Sequence, residues 1–401
     1  FFKQKTAYEI KECDWSSDVC SSDLTRQVHQ TAHHAGPLLE HIVGAEIVTF
    51  GEIMLRLAPS GVDRIQQALP GSLQGAFAGA EANTAVSLAL LNASVDFVTA
   101  LPDGPLSDAC LSSLRSTGVG LQHVKRTANG RLGIFFVETG ANQRSTQVWY
   151  DREASAISLA APADFDWAAI LKNARWLHLT GITPALTQTA AETTLAAART
   201  AVSMGVQVSF DPNFRSRLWR WNPAKSPLQL ASETLRELMP CVSLMFGGEE
   251  DCRLLGIELP ENPSADPADR ALTAARAACQ QWPRIRYFAS TLREQVSATH
   301  NNWSGLLYEA QSDTVSRAPL RQGSVRPWEI RQIVDRVGSG DAFDAGILLG
   351  LTQPQFDPQW TVEFATAASC LAHSIVGDWN YATRAEIEAL MQGSGSGRVI
   401  R

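Results

Sequence analysis

The sequence predicts an α/β fold, a central and largely parallel sheet covered on both faces by helices. Two observations carry the prediction. From Glu46 onward, short β-branched apolar stretches alternate with longer Ala- and Leu-rich segments at helical spacing. The 401 residues are 45% apolar and 19% charged, enough for one large domain with a sizeable core. No internal repeat at a fixed period points to a solenoid or propeller instead.

The elements follow in order. "EIVTFGEIMLRL" from Glu46 reads as the first strand, and Ala78–Ala93 as a helix with Asn83 near its start. "SVDFVTALP" is a buried strand ending at Pro102. "LGIFFVE" and "TQVWY", parted by the polar "TGANQRS", predict a hairpin. Then come the strand "ARWLHLTG", a helix over Thr187–Met204, the strand "VQVSFDPN", a helix near Leu228–Met239 and the strand "VSLMF". Helices are expected from near Gly248 and across Ala271–Gln281, followed by the strand "IRYFAS", two helices after Asp341 and a last one over Arg384–Met391.

Composition excludes several functions. A net charge of -7 lacks the basic face a nucleic-acid partner needs. No apolar run reaches 18 residues, and no signal peptide is recognisable, so the expected location is the cytoplasm. The cysteines, Cys13, Cys20, Cys110, Cys241, Cys252, Cys279 and Cys370, form no CxxC pair and read as reduced thiols. The neighbours His33 and His34 read as solvated, not as zinc ligands. Residues 1–24, "FFKQKTAYEIKECDWSSDVCSSDL", resemble a translated sequencing-adapter read-through and are expected to be non-native; residues 25–45 form a tail whose status the sequence leaves open. The domain is expected over 46–393, with the "GSGSG" stretch at 394–401 as a flexible tail.

The chemistry concentrates in "VDRVGSGDAFDAGILLGL", Val334–Leu351. Closely spaced glycines let consecutive backbone amides point into one concavity, and a helix opening there adds the positive end of its dipole. An anion is the natural guest. Asp341, directly after those glycines, has two readings: a helix cap, or a base that takes a proton from a hydroxyl attacking a phosphoryl group held by the amides. No GxxxxGK[ST] is present, and "GSGDAF" is not GxGxxG, which counts against a dinucleotide-dependent oxidoreductase.

"DRVGSGDAFDAG" resembles the C-terminal signature of the ribokinase-like (PfkB) carbohydrate kinases, and the likeness runs from about Ile47 to Arg401. It implies a ribokinase-like three-layer sandwich with a mostly parallel central sheet and a small β lid drawn from about 53–74 and 132–150. Within the family the likeness is greatest to the branch acting on 2-keto-3-deoxygluconate. The implied reaction is ATP-dependent phosphorylation of the terminal hydroxyl of 2-dehydro-3-deoxygluconate, with Mg2+ as companion ion. Asp341 would be the base, and the amides of Gly338, Ser339 and Gly340 would receive the γ-phosphate. "GAEANTAVSLALLNASVDFVTALPDGPLSD" resembles the N-terminal signature, with Gly79 and Asn83 at the substrate turn; Ala78 stands where a second Gly is common. "WYDREASA" offers Tyr150 and Arg152, "SFDPNFRSRLW" offers Arg215, and "HSIVGDWN" offers Asp378 as further substrate contacts. "LHLTGITPAL" is typical of the keto-deoxy-acid branch. Thr291 and Arg293 in "TLRE" stand where nucleotide-phosphate contacts lie.

These residue types suit a sugar acid, because Arg presents a planar fork that binds a carboxylate through two hydrogen bonds. The family's Asn-x-x-Glu for magnesium corresponds here to "MFGGEED", where the Asn is missing and Glu249 or Glu250 supplies the acid through water. The alternative for these acids is the first turn of a helix. Two other functions remain open: a family kinase for a neutral sugar such as ribose or fructose, or for a nucleoside, and a catalytically inactive sugar-acid sensor. The lid implies a homo-oligomer.

Overall fold

The structure, a computed structural model, describes residues 45–261 and 264–393. The adapter-like segment, most of the tail up to Gly44, Cys13, Cys20, His33, His34 and the 394–401 tail lie outside the described residues.

The main sheet runs in the order Thr314–Ala318, His300–Glu309, Tyr287–Ser297, Leu244–Phe246, Gln207–Asp211, Trp176–Thr180, Ile47–Phe50, Val95–Val98. From Val95–Val98 back to Tyr287–Ser297 neighbouring strands are parallel; His300–Glu309 and Thr314–Ala318 then add antiparallel, as does the short Trp328–Ile330. A strand sends successive side chains to opposite faces, so a sheet covered on both sides needs apolar residues at both parities. That is what these strands carry. Val48, Phe50, Leu177, Leu179, Val208, Phe210, Met245 and Phe288 enter one core with the helices Gln188–Ser203, Pro227–Leu238 and Pro267–Gln281. Ile47, Trp176, Leu244, Phe246 and Ala289 enter the other with Ala80–Leu90, Pro105–Ser116, Ser339–Thr352, Pro358–Ala372 and Arg384–Met391.

A separate four-stranded sheet has the order Gln74–Ala78, Met54–Ala58, Gly133–Glu138, Gln147–Asp151. It contains the expected hairpin and draws on both segments expected to form a lid.

Three elements differ from expectation. The single first strand is two, Ile47–Phe50 in the main sheet and Met54–Ala58 in the small one. The polar Glu52 inside the run is buried and paired with Arg152, which turns the chain from one sheet to the other. "SVDFVTALP" likewise divides, and Ala100–Pro102 pairs with Lys125–Thr127. The strand expected at "IRYFAS" extends to Ser297, and the antiparallel strands beyond it had no period clear enough to announce them.

Candidate active site

Most long helices here start in the usual way. Thr187, Ser226, Asp266, Asp357 and Thr383 each accept a first-turn backbone amide on a side-chain oxygen. The helix Ser339–Thr352 does not. Its N-cap is Gly338, at φ 85°, with no side-chain cap. A Cβ at this position would meet the carbonyl oxygen of Asp378 at 2.0 Å, so both the dihedral and the space require glycine. The first intrahelical bond is Ala342 N–H to Gly338 O at 2.9 Å, which leaves the amides of Ser339, Gly340 and Asp341 without an intrahelical acceptor. This removes the cap reading of Asp341. It is the third residue of the helix, in its first turn, and is not the cap; its Oδ2 accepts from Asn83 Nδ2 at 2.7 Å.

Asn83 lies in the first turn of the Ala80–Leu90 helix, and its Oδ1 accepts from the Gly79 amide at 3.2 Å. At Gly79 a Cβ would lie 1.9 Å from Glu52 O, so glycine brings this helix start against the turn between the two sheets. Burial raises the Asp341 carboxyl to about 7, against the Asn83 hydrogen bond and with help from the charges of Asp211, Asp378 and Glu81.

Four acids behind this point carried no sequence expectation or only a passing mention. Glu81, accepting from Thr180 Oγ1 at 2.7 Å and Thr183 Oγ1 at 3.2 Å, is pushed by burial to about 7. Asp344 is raised well above the carboxylate range by burial and by the charges of Asp211 and Asp341. Its Oδ2 lies 3.9 Å from Nε2 of His178, which burial keeps neutral by lowering it to about 3. Asp211 ends the strand Gln207–Asp211 and is raised by burial. Asp251 is raised to about 6 by burial, then by the charge of Asp211. Asp344 had one sequence signal, because three residues after Asp341 it shares a helix face with it.

All of this opens on one cleft of about 1590 Å³, at the carboxyl ends of the parallel strands, where open α/β sheets hold their ligands. Gly79, Asn83, Tyr150, Arg152, Arg215, Thr291, Arg293, Glu249, Glu250, Gly338, Ser339, Gly340, Asp341 and Asp378 all line it. Their environments differ. Arg152 is buried, ion-paired with Glu52, and lies 5.2 Å over the Tyr150 ring; its Nε is buried with no hydrogen-bond partner among the described residues. Arg215 is exposed, donates only to Phe214 O at 3.1 Å and makes no ion pair among the described residues. Asp378 is buried against Arg56, and burial lifts its carboxyl to about 6. Arg293 stands close enough to Arg336 that its charge, after burial, lowers the Arg336 pKa.

Glu249 and Glu250 both line the cleft, in the first turn of the Glu249–Leu254 helix. The Glu249 carboxylate is held by Arg253 of its own helix at 2.7 Å and by Arg270 of the Pro267–Gln281 helix at 3.3 Å. The acid that faces Asp211 is Asp251, whose Oδ2 accepts from the Gly248 amide at 2.9 Å.

Comparison with known proteins adds the lineage. Residues 45–282 match the family described as pfkB family carbohydrate kinase. The chain is 39% identical to 2-dehydro-3-deoxygluconokinase of Thermotoga maritima, whose crystal structure superposes with a TM-score of 0.78 over 86% of this chain and 99% of that one. It is 29% identical to 2-dehydro-3-deoxygalactonokinase of Haloferax volcanii, covering 88% of this chain and 98% of the relative. It is 25% identical to 2-dehydro-3-deoxygluconokinase of Bacillus subtilis, over 76% and 83% of the two chains.

Proposed function

The chain belongs to the pfkB family of carbohydrate kinases, and from that premise we propose that it transfers the γ-phosphoryl group of ATP to the terminal hydroxyl of a 2-keto-3-deoxy sugar acid, with 2-dehydro-3-deoxygluconate as substrate. The observation that carries the reading is the meeting of unpaired helix amides, a carboxyl raised to about 7 and an unpaired arginine in one cleft. A base works best when its pKa is near the working pH. Asp341 takes the hydroxyl proton as the oxygen forms its bond to phosphorus, and the bond to ADP breaks. The amides of Gly338, Ser339 and Gly340 face the charge that develops on the transferred group.

Arg215 supplies the fork for the acid's carboxylate, since Arg152 already spends one nitrogen on Glu52. Arg152 orients Tyr150 on the substrate wall. Gly79, Asn83 and Asp378 complete the substrate wall, and Thr291 with Arg293 receives nucleotide phosphates. Magnesium fits at Asp211 and Asp251, with Glu250 beside them, because the charges of Asp211 and Glu250 raise the proton affinity of Asp251, and carboxyls crowded in this way gain from a cation. When bound, the ion would offset the charge of the phosphates. The small sheet acts as a lid that excludes water during transfer, and we assign it as the surface through which copies pair. The protein works in the cytoplasm.

The relative from Haloferax volcanii bears the name of the galacto epimer's kinase, which keeps that epimer as a second substrate reading. A coupled assay of ATP consumption over the gluco and galacto 2-keto-3-deoxy acids, fructose, ribose and a nucleoside separates the readings. Turnover of the acids at least about 10-fold faster than of the neutral sugars is expected, one missing charged contact costing that much or more. Preference for a neutral sugar overturns the sugar-acid reading, and no turnover at all favours an inactive sensor.

A further inference from the structure

Arg56 occupies an unexpected place. It lies on the strand Met54–Ala58 of the small sheet, between Ala76 and Phe135 in register. The alternation that turns Met54 toward the cleft gives Arg56 the same face. An apolar residue would satisfy that position. Instead a guanidinium is buried there, with its side chain 4% exposed. Burying a charge is costly unless it is paired. Arg56 is paired twice: Nη2 donates to Asp335 Oδ2, and Nη1 donates to Asp378 Oδ1.

Both partners belong to the main body, and both shape the loop that leads into the Ser339–Thr352 helix. Asp335 Oδ1 accepts from the amides of Arg336 at 2.8 Å and Val337 at 3.2 Å, and its Oδ2 accepts from the Gly377 amide at 3.2 Å. Its carboxylate therefore sets the backbone just before Gly338. Asp378 presses its carbonyl against Gly338, at the left-handed turn that frees the helix amides. One planar fork thus joins a strand of the small sheet to both segments that fix the anion loop.

We propose that Arg56 is a positioning residue: a latch by which the seated small sheet holds the phosphate-binding amides in their working conformation. Covering the substrate and forming the amide nest become one event. Arg56 touches no reacting atom; it acts through Asp335 and Asp378. The inference rests on the kinase reading but not on which sugar is used, so it is tested with whichever carbohydrate the unmodified enzyme phosphorylates. An enzyme inactive on every sugar would count against the kinase reading and not against the latch.

The experiment compares full-length Arg56→Ala and Arg56→Lys with the unmodified enzyme, measuring kcat and both KM values, with and without guanidinium chloride at a non-denaturing concentration. Fold is checked by circular dichroism. For Arg56→Ala, kcat is expected to fall by at least about 100-fold while KM for the sugar changes by less than about 10-fold, because the amide nest matters most as charge develops. Guanidinium, and not sodium at equal ionic strength, is expected to restore at least about 10-fold of the loss, since it replaces the missing fork. Arg56→Lys should fall between, a point charge reaching only one carboxylate well. A merely structural arginine gives no such rescue. The proposal is overturned if folded Arg56→Ala keeps kcat within about threefold of the unmodified enzyme, or if guanidinium does no more than sodium. If Arg56→Ala does not fold, Asp335→Asn decides: a kcat lowered by about 10-fold or more supports the latch, and an unchanged kcat overturns it.

Discussion

The floor and the walls of the cleft are built from opposite charges. The floor, around the start of the Ser339–Thr352 helix, gathers Asp341, Asp344 and Asp378, with Glu81 buried behind them, all raised above the carboxylate range. The walls carry arginines, of which Arg215 and Arg293 form no close ion pair among the described residues, although the charge of Arg215 reaches Asp211 and Asp251. The contrast separates two tasks that a kinase for an acidic substrate must perform. Walls that attract anions bring in ATP and sugar acid. A floor whose carboxyls keep their protons up to near neutrality carries less negative charge there, and so can accept a proton without having first repelled the phosphates. Neither arrangement serves alone: cationic walls without the floor make a binder, and the floor without the walls faces substrates it repels.

The contrast breaks most completely at Asp341. Asp341→Asn keeps the size and the Asn83 neighbour but removes the proton acceptor, so kcat is expected to drop by at least about 100-fold in a purified, folded protein. In the unmodified enzyme the base must be deprotonated to act, so kcat/KM should rise with pH through about 7. A flat profile from pH 5 to 8 would remove Asp341 from the role.

On the wall, Arg215→Ala deletes the unpaired fork. We expect KM for the sugar acid to rise roughly 10- to 100-fold with a smaller change in kcat, and no comparable change for ATP. An equal loss of both substrates' affinity would mean that Arg215 serves the field of the cleft and not the carboxylate.

The smallest effect concerns Asp344, which the proposed reaction does not use. Its folded form keeps the proton to much higher pH than the unfolded chain does, so its contribution to stability is complete below the ordinary carboxylate range and drains away as pH rises toward the folded value. Asp344→Asn, neutral at every pH, should escape that loss. Its Tm is expected to exceed that of the unmodified protein by about 2 °C or more at pH 8, with the gain shrinking toward pH 4. A thermal melt at both pH values checks the sign.

Much of the site was legible because its motifs are local. The glycines around Ser339 announce free amides wherever they start a helix, and the aspartate that follows is placed by chain connectivity alone. Arg215 and Asp378 were legible only as residues resembling a family pattern; composition gives an arginine no address. That Asp251 is the acid of the Glu249–Asp251 run acted on by Asp211 was not legible, because three consecutive acids point in three directions once a helix begins, and its starting residue cannot be read from the run itself.

Alternation of apolar strands with helix-spaced segments, and the Gly-Ser-Gly-Asp at 338–341, determined by themselves the α/β class and the presence of an anion nest beside a carboxylate, because both depend on neighbours in the chain. Only the tertiary structure decided that Asp341 is not a cap, that Asn83 from a helix 258 positions away holds it, that Arg56 from another sheet joins Asp335 to Asp378, and that Asp344 shares the floor with Glu81 behind it. Those facts rest on burial and on contacts between distant segments. A carboxyl's proton affinity is set by how little water and how many charges surround it, and neither is written in the residues beside it.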